Sequence, residues 1–255
     1  MSSRAAFLAR VRRALRKEPV PDAMRQPLVR SHQDLAHEVA ALRRRVYAQR
    51  SVLVAQLAEQ LSAVGGQVQI VSAKAEAVAS IERLAVEKQA KLMVRWHSAL
   101  LASLEVDAVL ERQGIVVRTA TSPELAHADT ASETQVAAAR QTMRQLVAEA
   151  AIGLSGADCA IAETGTLALA ALPGQMRGVS LLPPVHIAVV KADQVVASLS
   201  DYLLLLRAAD TDLQQHLTSC LSFITGPSRT GDIELTLTVG VHGPGELHVV
   251  ILDEP

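Results

Sequence analysis

Cysteine is nearly absent from this chain: Cys159 and Cys220 are the two it has. So sparse a pair does not make the dense framework of a small secreted domain, and fits a reducing compartment instead. No C-x-x-C occurs, so this chain by itself supplies neither a four-cysteine zinc site nor the ligands of an iron–sulfur cluster. Aromatics are almost as scarce. Phe7, Tyr47, Trp96, Tyr202 and Phe223 are the whole set, so the core must be aliphatic and a stacking platform for single-stranded nucleic acid is not expected. No apolar run approaches the roughly 20 residues of a membrane span. The N-terminus has no signal-peptide apolar region. The cytoplasm is the expected location, with neither membrane nor nucleic acid as partner. The P-loop, the G-x-G-x-x-G fingerprint and the G-x-S-x-G elbow are also missing, which argues against a standard NTPase, dehydrogenase or hydrolase.

What the chain does have is 255 residues, 49% of them hydrophobic. That is enough to bury a sizeable core without a disulfide or metal staple. The net charge of −1 hides an asymmetry. Residues 1–50 carry 12 Lys/Arg and 4 Asp/Glu, the remainder 13 and 22. The basic end reads either as an arm for an acidic partner or as a solvated helix face. Its apolar stripe Phe7, Leu8, Val11 and Leu15 predicts a helix over 3–17, and Pro19, Pro21 and Pro27 mark a linker. The expected organisation is a basic helix and linker over 1–30 and a single α/β domain over 31–255.

The stripe Leu35, Val39, Leu42, Val46, Leu53, Leu57 and Leu61 predicts one long helix over 32–64, ended by Gly65-Gly66. Strand and helix patterns then alternate. Strands are expected at 68–71, 92–96, 115–117, 160–162, 167–170, 185–190, 221–224 and 247–252. Helices are expected at 74–88, 99–110, 132–150, 198–207 and 211–219. Residues 233–239 alternate apolar and polar, which favours a strand, although Ile233, Leu237 and Val241 would also share a helix face. The alternation predicts an α/β fold with a mostly parallel central sheet covered on both faces.

Three segments carry candidate chemistry. Glu163-Thr164-Gly165-Thr166 follows the apolar run from Cys159. It reads as an anion-binding turn at a strand end, with Glu163 as base, nucleophile or capping acceptor, or as a plain turn that uses Gly165 for positive φ. "TGPSRTGDIE", Thr225 to Glu234, gathers Gly226, Ser228, Arg229, Thr230 and Asp232. Its lone guanidinium among hydroxyls and glycine suits a carboxylate or phosphate, or pairs with Asp232 or Glu234. "VHGPGELH" brings His242 and Gly243 beside a turn, with His248 in the last strand. That spacing is no metal signature. His186 in "LLPPVHIAVV" reads as a hydrogen-bonded core histidine or a ligand contact, and His97 follows a strand end where ligands meet sheets.

Taken together, "SGADCAIAETGTLAL", "LLPPVHIAVV" and "TGPSRTGDIELTLTVGVHGPGELHVVILDE" resemble the lactate-utilisation protein C family, the LUD-domain proteins. The resemblance covers roughly 35–255. It implies a three-layer αβα fold like the NagB/RpiA/CoA-transferase group. It also implies a part in oxidising L-lactate to pyruvate beside iron–sulfur oxidoreductase partners, this chain being the component without a cluster or structural metal. Glu163 and His242 are then the candidate catalytic residues. Thr164, Gly165, Thr166, Gly226, Ser228, Arg229, Thr230, Asp232 and Gly243 are the candidate contacts to a small anionic metabolite or phosphorylated cofactor. Two alternatives stand beside this reading: a free-standing transferase or isomerase using Glu163, and a metabolite-sensing regulator.

Overall fold

The computed structural model describes residues 32–122, 125, 131–172, 174–212, 220–231 and 237–254. By compactness the chain divides into Met1–Glu38 and Val39–Pro255. Of the first unit, the described residues are the opening turns of helix α1, His32–Ala48. The helix expected over 3–17 and the proline linker lie outside the described residues.

The single helix expected over 32–64 is two helices. Gln49, with φ −107° and ψ 10°, separates α1 from α2, Arg50–Ala63. That ψ is well off the helical value near −42°. The α2 stripe is the expected one, burying Leu53, Val54, Leu57 and Leu61. Gly65 takes φ +87° and donates to Ser62, and Gly66 donates to the Leu61 carbonyl at 2.8 Å. This is the glycine-dependent stop that the sequence implied.

Helices α3 (Lys74–Glu87), α4 (Ala99–Ser103), α5 (Val106–Arg112), α6 (Glu133–Glu149) and α7 (Leu199–Asp212) follow. Glu105, at φ 53°, splits the expected 99–110 helix into α4 and α5. Ser132 and Gln135 form a capping box that starts α6. The strands in chain order are β1 (Gln67–Val71), β2 (Leu92–Arg95), β3 (Val116–Thr119), β4 (Ile152–Gly156), β5 (Cys159–Ile161) and β6 (Thr166–Ala170). After them come β7 (Val185–Lys191), β8 (Val195–Val196), β9 (Leu221–Ile224), β10 (Arg229–Gly231), β11 (Leu237–Val239) and β12 (Glu246–Leu252).

Six strands form an all-parallel sheet in the order β1-β12-β7-β4-β2-β3. All five residues of β4, and six of seven in both β7 and β12, are buried. A strand buried on alternate residues alike has both faces covered, as parallel sheets require. The α/β class read from the alternating pattern is the one found. Four shorter strands make a second sheet, β8-β5-β6-β9, and β10 pairs antiparallel with β11. Leu237–Val239 is thus a strand, as the alternation favoured, while 232–236 lie outside the described residues. Of the two helices expected over 198–219, the first runs on to Asp212, and 213–219 lie outside the described residues.

The central strand β4, "IGLSG", is absent from the sequence reading. Two glycines and a serine break any apolar run there. The packing explains Gly153: a Cβ at that position would run into the carbonyl oxygen of Val179, in the 3₁₀ turn Arg177–Ser180.

Candidate functional site

Glu163-Thr164-Gly165-Thr166 closes the hairpin between β5 and β6, whose strands pair antiparallel. Gly165 takes φ +62°, and a Cβ there would lie 2.6 Å from the Leu61 amide nitrogen. The turn is therefore pressed against the end of α2, and glycine is needed both for its conformation and for the close approach. The exposed Glu163 carboxylate accepts from the Leu199 N–H at 3.0 Å, at the first residue of α7. A carboxylate there satisfies an orphan donor and complements the helix dipole. Thr166, buried, links Thr164 to Thr225 through hydroxyl contacts of 2.7 Å each. This ties the hairpin to the end of β9.

Arg229 opens β10, so part of the expected loop is strand. Its Nη2 donates to the Val64 carbonyl at 2.7 Å, one of the carbonyls left bare at the end of α2. Thr230 pairs across the hairpin with Thr238. Asp232 lies outside the described residues. Gly226, at φ +83°, sits over Val64, whose carbonyl oxygen would be 2.7 Å from an added Cβ.

Four of the sequence candidates come together. Gly226 and Ser228 from one turn, and His242 and Gly243 from another, line a cleft of about 200 Å3. The two turns are held in register by the Ser228 N–H on the Pro244 carbonyl (2.8 Å) and the Gly240 N–H on the Ser228 carbonyl (2.9 Å). Glu163, Thr164, Gly165, Thr166, Arg229 and Thr230 do not line it. Ser180, Leu181 and Leu247, which no local sequence pattern marks, do. The cleft lies at the amino ends of β7 and β12. It is not at the carboxyl ends where open α/β sheets generally bind ligands.

His186, the second residue of β7, also lines the cleft. It is 1% exposed. Its Nε2 lies 2.8 Å from the Ser155 Oγ on β4, and its Nδ1 has no hydrogen-bond partner among the described residues. Burial lowers its pKa to about 3, so the ring is neutral at physiological pH. His248 is also buried and contacts the Glu246 carboxylate at 3.0 Å. His97 is exposed, with its N–H on the Gly174 carbonyl.

A larger cavity, about 680 Å3, opens off the carboxyl ends of β4 and β7. Its walls include Leu42, Arg50, Asp158, Cys159, Gln194 and Leu205. Three of its polar side chains make structural contacts, although Arg50 Nε is buried without a hydrogen-bond partner among the described residues. Arg50 reaches Asp253 and the Glu254 carbonyl. Asp158 accepts from the Ala170 N–H, and Gln194 bridges Ala157 and Lys191. Burial pushes the Cys159 thiol up to about 12, so it is not a thiolate nucleophile. The smaller cleft is the better candidate site because it gathers Gly226, Ser228, His242, Gly243 and His186, none of which lines the larger cavity. Among the described residues no group of three or more His, Cys, Asp or Glu is arranged to hold a metal ion, and no helix is long and apolar enough to cross a membrane.

An all-parallel α/β sheet with a small cleft at the amino ends of two of its strands makes this an α/β domain with a candidate ligand site. Residues 54–252 match the LUD domain, and this chain belongs to the LUD-domain family. A lactate utilization protein C from Halalkalibacterium halodurans is 30% identical over 69% of this chain and 68% of that protein. One from an Exiguobacterium species is 38% identical over 45% of this chain and 49% of its own length. A lactate utilization protein B from Bacillus subtilis is 27% identical over 83% of this chain and 50% of that protein. Against the Exiguobacterium and B. subtilis proteins, this chain thus spans about half of the relative's length. In fold, the chain is similar to a DUF162 family protein from Deinococcus radiodurans, at a TM-score of 0.51 and 20% identity. That match covers 80% of this chain and 98% of that one.

Proposed function

We propose that this chain is a component of a lactate-utilisation system, and that the cleft beside His186 holds a small carboxylate or phosphorylated metabolite. The observation that supports the reading is the meeting of the 226–228 and 242–244 turns over about 200 Å3, in a family with members named for lactate utilisation. That volume lies below the roughly 300–1,000 Å3 of drug-sized pockets and suits a ligand of a few heavy atoms. Oxidising a 2-hydroxy acid to a 2-oxo acid releases two electrons and two protons. The two cysteines of this chain cannot hold a four-thiolate cluster to receive those electrons. The family resemblance implies iron–sulfur oxidoreductase proteins of the same system as the partners, and these are the proposed electron acceptors. The transferase reading is weaker, because the Glu163 carboxylate is on the Leu199 N–H and outside the cleft.

A growth assay tests the reading. A Cβ at Gly243 would lie 3.1 Å from the Ser228 Cβ, so Gly243→Val fills the cleft. A strain deleted for this gene should lose growth on L-lactate as sole carbon source. The parent gene should restore it and Gly243→Val should not, with the variant protein still folded. Normal growth of the deletion strain on L-lactate would remove the proposal.

A further inference from the structure

We propose that the larger cavity is a second ligand site and that it takes a guanine nucleotide. Tyr47 stacks on the base, Arg43 holds the phosphate, and Asp193 accepts from the edge of the base. The cavity shares no lining residue with the cleft, so this inference stands apart from the lactate reading.

The position of the cavity follows from the sheet. Asp158 comes two residues after the end of β4, and Asp193 two residues after the end of β7. Both line the cavity, which therefore opens at the carboxyl ends of parallel strands, where open α/β sheets bind ligands. Helix α1 supplies a further wall. Arg43 and Tyr47, four residues apart, lie on one face of that helix, and both line the cavity. The Arg45–Asp201 ion pair ties α1 to α7, whose Leu205 also lines it. The volume of about 680 Å3 falls in the range of roughly 300–1,000 Å3 typical of sites for drug-sized molecules.

Three lining side chains are open to solvent and to a ligand. Tyr47 is 79% exposed, the highest value of any large apolar side chain among the described residues. An aromatic ring left in water beside a cavity offers a stacking face to a flat ring. Arg43 and Asp193 are exposed as well, and among the described residues neither side chain has an ion-pair or hydrogen-bond partner. The two charges thus do not neutralise each other across the cavity. Arg50, by contrast, is already held by Asp253. A ligand that answers all three groups carries a flat ring, an anion and hydrogen-bond donors. A phosphate suits the planar guanidinium. A carboxylate only accepts. Guanine sets a ring N–H and an amino group side by side, which gives one carboxylate two parallel donors. Adenine sets a lone pair beside its amino group and would meet the carboxylate acceptor to acceptor.

Calorimetry of the full chain with GMP, IMP, AMP and ribose 5-phosphate tests the inference. GMP should bind, and ribose 5-phosphate, which lacks the base, should bind roughly tenfold or more weakly, the effect of losing one stacked base. IMP lacks the amino group and AMP reverses the donor pattern, so both should bind more weakly than GMP. The three side chains are exposed, so their substitution leaves the core intact. Tyr47→Ala should weaken GMP by about ten- to hundredfold, and Arg43→Gln by about tenfold through loss of a charge-assisted contact. Asp193→Asn should bring GMP and IMP to within about twofold of each other, because one of the two donors then loses its acceptor. Photocrosslinking with 8-azido-GMP gives an arm independent of any variant and should label the peptide that contains Tyr47. Failure of GMP to bind, or binding that neither Tyr47→Ala nor Arg43→Gln weakens, would overturn the site. Equal affinity for GMP, IMP and AMP would overturn the assignment of guanine.

Discussion

Glu163 shows how one residue type serves two chemistries. A carboxylate at a strand end beside threonines and glycine reads equally as nucleophile, base or cap. The 3.0 Å contact with the Leu199 N–H favours the cap. Replacing a capping oxygen by alanine typically costs about 0.5–2 kcal/mol, and an uncharged isostere keeps much of the hydrogen bond. Glu163→Ala should therefore lower unfolding free energy by about 1 kcal/mol in urea melts, and Glu163→Gln by less. Acyl-CoA should leave no glutamyl adduct detectable as a hydroxamate by mass spectrometry. A stoichiometric adduct on Glu163 would restore the transferase reading. Arg229 teaches the same lesson: its charge was legible, but its partner, the Val64 carbonyl, is 165 positions away.

At the scale of elements, β4 was hidden and β7 was plain, for one reason. β7 is recognisable because a strand buried on both faces is an unbroken apolar run. β4 is buried just as completely, but part of its volume is filled by neighbouring backbone. Gly153 makes room for the Val179 carbonyl, and Ser155 carries the His186 contact. A single chain cannot display either constraint, because both partners arrive from later elements. Gly153→Ala should destabilise by about 3 kcal/mol or more, the upper range of overpacking. Gly156→Ala, in the same strand, should stay within about 1 kcal/mol, because its nearest new neighbour is the Val189 carbonyl at 3.7 Å. Urea midpoints read both. Equal tolerance of the two substitutions would mean that the 3₁₀ turn shifts freely.

For the whole molecule, the pH dependence of stability should be set largely by His186. Its pKa falls from 6.5 in the unfolded chain to about 3 when folded. Between those values the unfolded state binds the extra proton, so stability is lost as pH falls from 6.5 toward 3. The slope for one such group is at most about 1.4 kcal/mol per pH unit. Glu246 adds to this loss. The Lys88 hydrogen bond, and less so His248, hold its carboxyl below the usual range, so its contribution also fades on acidification. Asp158 works the other way: burial raises its pKa, which favours the folded state in acid. Chemical denaturation between pH 7 and pH 4 should show falling stability, and His186→Gln should flatten it. An unchanged slope in that variant would mean that other groups carry the acid response.

Composition and periodicity by themselves determined the aliphatic α/β class and most of the helices and apolar strands. They also marked Gly65-Gly66 as a helix stop and gathered the turn residues worth watching. These are local properties: side-chain volume, backbone freedom and burial pattern are written into neighbouring positions. Only the tertiary structure decided which candidates meet. It brought Gly226, Ser228, His242 and Gly243 into one cleft with His186, and placed Glu163 on the start of α7 and Arg229 at the end of α2. Among the described residues it also left His186 Nδ1 without a partner. A hydrogen bond is defined by distance and angle between atoms from distant parts of the chain, and the parallel crossovers that create those distances are not encoded in any short stretch of it.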